Sequence, residues 1–541
     1  VRAILASWTL VALMCCLGST ANAESGQTAA TESLLARLPS ANLRETATLV
    51  GELEQSGGDR MLPLFQIMLD GRLYSRKSDD ALVAVTQPPT GDWVLTDVFT
   101  GASLGTATRR EVSKVRVNNR LRVQLREAIA RIQLNAEDAG ARLAAVDTLF
   151  GDLNDSSAAL LSERRDLETD DKVKGAIEEA LALYRLRSSS EPAVQVAALN
   201  VLAESLNTEV RYAVEQLAAA DSAAALPVRN AARKALTRID SNLEFYGFLE
   251  QLFFGLSLGS VLLLAAIGLA ITFGVMGVIN MAHGEMIMLG AYTTYVIQLL
   301  MPDHIGLSLW IAIPAAFLVS GLVGVIIERG VIRFLKGRPL ETLLATFGIS
   351  LILQQAVRTI FSPLNRQVAS PEWMSGSLEI NAALSITYNR LYILLFALLV
   401  FALLQLILKK TSLGLNVRAV SQNRDMAKAM GIRTEWVDAM TFGLGSGVAG
   451  VAGVALSQLT NVGPNLGQSY IIDSFMVVVF GGVGNLLGTL VGGFTLGVAN
   501  KFLEPMTGAV LANILILVFI ILFIQKRPKG LFPQKGRAAN D

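Results

Sequence analysis

Few residues in this chain are equipped for covalent chemistry. Its 541 residues include two histidines, His283 and His304, and two cysteines, Cys15 and Cys16. No His/Cys/Asp/Glu group has metal-ligand spacing, so no metal site is expected. No histidine precedes His283, which rules out a Ser/His/Asp or Cys/His set in the first half. The phosphate-cradling pattern G-x-x-x-x-G-K-S/T is absent, so any ATP must be hydrolysed by a partner. An enzyme is not expected, and no cofactor is implied. The 46 basic and 45 acidic residues leave a formal net charge of +1, which offers no electrostatic footprint for nucleic acid.

What stands out instead is polarity set into apolar surroundings. Asn280, Gln354, Gln355 and Asn485 are uncharged hydrogen-bonding side chains within or beside long apolar runs, suited to lining a path for a polar solute. Each serves equally well as an interhelical hydrogen bond. His283 and Glu285 sit where the first apolar hairpin turns, either as a functional ionisable pair or as an interfacial cap of the next helix. The stretch Gly414 to Ile432 is too polar to enter lipid, yet it carries apolar positions and Gly431. Val420, Met426, Ala427, Met430 and Ile432 are expected on the buried side of a short docking helix, with Arg424 and Lys428 on its solvated side. A solvated inter-helical loop is the alternative.

The elements that position these residues are membrane helices. Apolar stretches run at Phe248 to Thr272, Ala282 to Leu300, Leu307 to Ile327, Leu340 to Ile360, Leu391 to Leu408, Ala439 to Leu459, Phe475 to Val498 and Ala509 to Ile524. Most are near the roughly 20 residues needed to cross hydrocarbon. Basic residues crowd the segments after Arg329, from Lys409 to Arg433 and after Lys526, whereas Met301 to Gly306, Ser362 to Asn389 and Thr460 to Ile472 contain among them only the basic residue Arg366. The excess of positive charge places the basic loops, the segment 409–438 and the C-terminus in the cytoplasm. Parity then requires 473–504 to return to the side where it began, and the glycines from Gly481 to Gly493 offer the break, as two short spans or a re-entrant pair. The expected fold is an all-α polytopic membrane protein of about eight or nine membrane segments.

Residues 1–243 read differently. Arg2, the apolar run Ala3 to Leu17 and Ala21-Asn22-Ala23 form a secretory signal-peptide pattern over residues 1–23, which makes 24–243 a periplasmic region ahead of a membrane domain at 244–541. A lipoprotein reading of Cys15 or Cys16 lacks the small residue that should precede the cysteine. Between about Gly140 and Ile239, apolar and small residues recur at helical spacing, as in Val173, Ala176, Ile177 and Leu181. These units resemble HEAT-type helical hairpins, with an ordinary helical bundle as the alternative. β-branched and aromatic segments near 82–117 suggest a small strand-rich insertion.

Four segments carry a specific resemblance: INMAHGEMIMLGAY (Ile279 to Tyr292), ATFGISLILQ (Ala345 to Gln354), the Gly414 to Ile432 loop and FGGVGNLLGTLVGG. They resemble the permease signatures of the branched-chain amino-acid class of ABC importers, across about 248–533. The resemblance implies partnership with a second related permease, two cytoplasmic ATPase subunits and a periplasmic solute-binding protein in the bacterial inner membrane. It places ATPase coupling at Arg418, Asn423, Asp425, Ala427 and Gly431, and leaves Asn280, His283, Glu285, Gln354, Gln355 and Asn485 as translocation-path candidates. The long N-terminal region and the ending GLFPQKGR are similar to the urea-importing members of that class. Urea is therefore the expected solute, with branched-chain or other amino acids as the alternative and an ATP-independent solute channel as a third reading.

Overall fold

The computed structural model describes residues 31–87, 92–151 and 153–532. The leader pattern, Cys15, Cys16 and the residues after Phe532 lie outside the described residues. The chain divides into two compact units, Val1–Asp240 and Ser241–Asp541.

In the first unit, residues 31–37 (α1), Leu43–Gly57 (α2) and Leu62–Leu69 (α3) precede a five-stranded antiparallel sheet. Its strands are β1 (Leu73–Arg76), β2 (Leu82–Thr86), β3 (Trp93–Asp97), β4 (Ser103–Ala107) and β5 (Val112–Lys114), in the order β4-β3-β2-β1-β5. The strand-rich insertion thus begins at Leu73, earlier than the β-branched pattern indicated. The short Leu73-Tyr74-Ser75 run owes its strand state to pairing on both sides, with β2 and β5.

Six helices follow: α4 (Asn119–Leu134), α5 (Ala139–Phe150), α6 (Asp155–Arg165), α7 (Asp171–Ser188), α8 (Pro192–Leu202) and α9 (Thr208–Ala218). Their starts are chemically marked. Asn118, Asp138, Asn154, Asp170 and Asn207 each accept a hydrogen bond from a first-turn N–H, satisfying donors that the helix cannot. Val173, Ile177 and Leu181 of α7, Ala198 and Leu202 of α8, and Val210 and Val214 of α9 are buried at the recurring spacing. The small residues Ala176 and Ala197 of that pattern are not.

One buried ion pair ties this unit together. Arg142 donates through Nε and NH2 to the Glu168 carboxylate, both at 2.9 Å, and through NH1 to the carbonyls of Ala136 and Glu137. Burial alone would raise the Glu168 carboxyl. Hydrogen bonds from Arg142 and from the Asp170 and Thr169 N–H groups outweigh it and hold the group down at about 2.

The second unit is a helical membrane bundle. It opens with the part of α10 (Leu226–Met276) that follows Asp240, and continues with α11 (His283–Leu300), α12 (Ile305–Gly330) and α13 (Pro339–Phe361). A hairpin of β6 (Ser377–Asn381) and β7 (Leu384–Thr387) leads to α14 (Tyr388–Lys410). Two short helices, α15 (Ser412–Gln422) and α16 (Arg424–Ala429), precede α17 (Thr434–Ser457), α18 (Leu466–Gly481), α19 (Leu486–Thr507) and α20 (Ala509–Lys526). Among the described residues, seven helices are long and apolar enough to cross a membrane: those containing α10, α12, α13, α14, α17, α19 and α20. The shorter α18 and the more polar α11 pack into the same bundle.

α17 is the centre of that bundle, and its sequence explains why. Gly443, Gly445, Gly447, Gly450 and Gly453 remove side chains where other backbones approach. A Cβ at Gly445 would lie 2.7 Å from the Gly268 carbonyl of α10, and one at Gly450 would lie 2.5 Å from the Ala316 carbonyl of α12. A Cβ at Gly453 would run into the Ile287 carbonyl of α11. Such contacts suit helices in lipid, where close van der Waals packing replaces the hydrophobic drive.

The apolar stretch Phe475 to Val498 is two helices, not one. α18 ends at Gly481, and Gly482 (φ 107°) and Gly484 (φ 78°) turn the chain through a conformation that L side chains rarely adopt. Asn485 caps α19 by accepting from the N–H groups of Leu487 and Gly488.

Gly450→Leu should destabilise the chain by more than about 3 kcal/mol in detergent melting, while Gly348→Ala, where an added Cβ meets nothing within 4 Å, should be neutral or slightly stabilising. The Glu168 contribution is complete above the ordinary carboxyl value of 4.5 and is lost as pH falls toward 2. It amounts to about 3 kcal/mol, so Glu168→Gln should flatten the acid dependence of thermal melting across that window.

Candidate functional site

The loops between membrane helices gather at two ends. At one end, Arg333 pairs with Glu435 at 2.8 Å, and Leu531 and Phe532 donate backbone hydrogen bonds to Phe480 and Gly481. At the other, Arg366 and Val462 exchange backbone hydrogen bonds, Gln298 is bonded to the Ala369 backbone, and Asn389 donates to the Gln458 carbonyl. The basic loops all lie at the first end.

That basic end is organised around Asp438, whose side chain is 1% exposed. Arg424 grips it with two hydrogen bonds, at 2.7 and 2.9 Å, and Lys336 forms a third charged contact. One carboxylate at the start of α17 therefore holds α16 and the segment between α12 and α13. Arg424 is thus a structural clamp, not part of the solvated face where the sequence pattern placed it.

α15 and α16 are shaped by their caps. Arg418 donates to the Leu408 carbonyl, anchoring α15 to the last turn of α14. Asn423 separates the two helices and caps α16 by accepting from the Met426 N–H at 3.0 Å. Gly431, at φ 87°, ends α16: its N–H bonds to the Lys428 carbonyl and the Ile432 N–H to the Ala427 carbonyl. This closing geometry needs a left-handed residue at that position. Ala427 packs inward with Val417, Val420 and Val437. Met426 and Met430 do not: they are 60% and 78% exposed, where the sequence pattern had them buried. Helical phase explains the difference, because the six-residue α16 turns only one narrow side to the bundle, and Ala427 occupies it. Asp425 is exposed in the first turn.

Inside the bundle, Glu285 is fully buried. Its Oε1 accepts from Ser350 Oγ and Gln354 Nε2, both at 2.8 Å, linking α11 to α13. Asn280 accepts from the Ala282 N–H, and Met281 N–H donates to Thr346 Oγ1, which orders the link into α11. His283 Nε2 lies 2.8 Å from the Ala265 carbonyl; because a carbonyl only accepts, this nitrogen carries the proton. The structure thus joins Glu285 to Gln354, with Ser350, in one buried network, while His283 bonds separately to α10 and Asn280 only to the local backbone ahead of α11. Gln355 points away from it, exposed on α13, and Asn485 lies at the basic end, donating to the Phe532 carbonyl.

A third polar region lies outside every motif of the sequence. A cavity of about 550 Å³ opens near the Thr460–Asn465 loop and is lined by Asn365, Asn465, Asp473, Asn500 and Asn513, among others. These residues come from separate loops and helices, so no spacing pattern announces them. The available signal was Asp473 itself, an acid in the middle of an apolar helix. Among the described residues, no group of acids, histidines and cysteines is placed to hold a metal ion.

Comparison with known proteins gives the family of the membrane unit. The sequence profile of the family described as "Branched-chain amino acid transport system / permease component" matches residues 251–524. The high-affinity branched-chain amino acid transport system permease protein LivH of Salmonella typhimurium is 33% identical over 300 residues, covering 53% of this chain and 96% of the relative. BraD of Pseudomonas aeruginosa, another such permease protein, is 32% identical over 298 residues, with the same coverage. The ribose import permease protein RbsC of Bacillus subtilis is 31% identical over 136 residues, covering 23% of this chain and 42% of the relative. No solved structure matches the chain significantly.

Replacing Asp438 by Asn should free α16 from α17 without unfolding the bundle, because Arg424 and Lys336 are partly exposed and can turn to water. The expected outcome in hydrogen exchange is amides of 424–431 exchanging at least about tenfold faster, a loss of roughly 1.4 kcal/mol of local stability, with amides of 445–455 unchanged.

Proposed function

Because the chain belongs to the branched-chain amino acid transport permease family, we propose that it is the membrane-spanning subunit of a binding-protein-dependent ABC importer in a bacterial inner membrane. The observation that carries the mechanism is the basic end. There a short helix, clamped to the central helix through Asp438, offers Met426 and Met430 to a partner. Met is suited to such a surface because its unbranched, polarizable side chain adapts to a partner's groove. An ATPase subunit seated on these residues would push on α16. The Arg424–Asp438–Lys336 clamp would pass that push to α17.

In this reading Arg418 and Asn423 hold the coupling helices in place, and Gly431 and Ala427 shape α16. Asp425 and the two methionines meet the ATPase. His283 would hold α11 against α10, and Glu285 with Gln354 would hold it against α13, around the path, while Asn280 orders the entry to α11. Gln355 would face a lipid or a second permease, and Asn485 the cytoplasmic side. The basic end faces the cytoplasm, as the excess of positive loop charge requires. A periplasmic binding protein, a second related permease and two ATPase subunits complete the assembly, with the N-terminal unit in the periplasm as a contact surface.

For the solute we propose an amino acid, following the printed names of LivH and BraD. Urea is the second reading. It is favoured by the N-terminal unit, which lies outside the family match at 251–524 and outside the span of relatives that are themselves 96% covered. The test is reconstitution of the complete transporter with its binding protein and both ATPase subunits. ATP-driven uptake of leucine or valine, with urea excluded, is the expected result, and the reverse preference would move the assignment to urea. Uptake against a gradient by this chain alone would overturn the importer reading altogether. Met426→Asp combined with Met430→Asp should lower uptake at least tenfold in correctly inserted protein, through loss of ATPase docking.

A further inference from the structure

Asp473 lies in the middle of an apolar membrane helix. Glu285, Asp438 and Glu504 are each hydrogen-bonded to other side chains, whereas among the described residues no side-chain hydrogen bond or ion pair reaches Asp473. It sits half-buried on α18 between Ile472 and Ser474, and it borders the cavity of about 550 Å³. An unpaired carboxylate at membrane depth is costly unless it meets water or a ligand.

The rest of the lining is amide-rich. Asn500 Nδ2 donates to Asn513 Oδ1 at 2.5 Å, which leaves Asn500 Oδ1 and Asn513 Nδ2 available to the cavity. Asn465 Oδ1 is held by Arg358 at 2.7 Å, so its own amide N–H groups remain available. Asn513 interrupts an 18-residue helix that is otherwise strongly apolar up to its final Gln-Lys, and Asn500 faces it from α19. Two amides placed opposite one another on separate membrane helices are expensive toward lipid. The lining also has an apolar part, formed by Leu258, Leu262, Met476 and Leu496. The volume falls within the ordinary range for small-molecule sites. The mouth lies beside the Thr460–Asn465 loop and Asn365, at the end of the bundle away from the coupling helices.

We propose that this cavity is a solute-binding station of the permease, in which Asp473 accepts N–H groups of the solute while the amides of Asn465 and Asn513 donate to its carbonyl or carboxylate oxygen. The proposal rests on the importer reading and names the part of the chain that touches the solute. The ligand chemistry is a small molecule with N–H donors next to a carbon–oxygen acceptor. Leucine and urea share it, and ribose lacks it. The apolar wall complements a branched aliphatic side chain and gives urea nothing to fill it. Glu285, although also an intramembrane acid, borders none of this space.

The experiment uses the full chain in nanodiscs, with Cys15 and Cys16 replaced by Ser and Ser469→Cys placed at the cavity wall. Leucine, urea and ribose are the probes, and the readout is the rate of labelling by a charged thiol reagent. Leucine or urea should slow labelling at least threefold, and ribose should not. Protection by leucine that Asp473→Asn weakens at least tenfold in apparent affinity identifies an ammonium on the carboxylate. Protection by urea that Asn513→Leu abolishes, with Asp473→Asn having a smaller effect, identifies the neutral solute. Both results support the station. Equal labelling with all three probes in a chain whose assembled transporter accumulates solute would overturn the proposal and leave the importer reading standing. An assembled wild-type transporter that accumulates neither leucine nor urea would overturn the importer reading itself. In that reconstituted transporter, unchanged uptake KM in both Asp473→Asn and Asn513→Leu would also count against the station.

Discussion

Backbone-to-backbone contact at α17 is the constraint on which the membrane unit depends. Gly445, Gly450 and Gly453 let α10, α12 and α11 approach closer than any side chain would permit. In water such a glycine-rich helix would be weak, since each glycine costs about 1 kcal/mol relative to alanine. Inside lipid the backbone has no competing hydrogen-bond partner, and the shortfall is offset by packing that only glycine allows. The same device recurs where Gly284 of α11 meets Gly467 of α18 and where Gly481 meets Gly488 across the turn. A core built this way is stiff, and displacement of α17 must displace its neighbours.

That stiffness gives the Asp438 clamp its meaning. Two cations on one buried carboxylate are a poor way to add net stability, because desolvation consumes much of the Coulombic gain. They are an effective way to fix geometry: Arg424 comes from α16, Lys336 from the α12–α13 link, and Asp438 from α17. Force applied to the exposed Met426 and Met430 therefore enters the helix that touches most of the bundle.

Much of this was legible in the sequence, for identifiable reasons. Apolar length and charge asymmetry gave the membrane helices, and the parity argument required the break that Gly482 and Gly484 supply. Asn423 and Gly431 were singled out through the family resemblance; their roles as helix cap and helix stop emerged only from the backbone they shape. The facing of α16 was misread, since six residues are too few for periodicity to fix which side is buried. The Asp473 cavity was invisible for a different reason: Asn365, Asn465, Asn500 and Asn513 are brought together by tertiary packing alone. At the opening turn of α11, His283 and Glu285 read as an ionisable pair, but they turn to different helices, His283 to α10 and Glu285 to Ser350 and Gln354 of α13, which only the packed register decides.

The most direct test of the account is cross-linking in the assembled transporter, because it asks where force enters. Single cysteines at position 430, on α16, and at position 377, on the β6–β7 hairpin, would be introduced into a chain lacking Cys15 and Cys16. The account predicts that the cysteine at 430 cross-links to the ATPase subunit, more strongly in one nucleotide state than another, and that the cysteine at 377 does not. Cross-linking of the ATPase at 377, or none at 430 in an active complex, would contradict it.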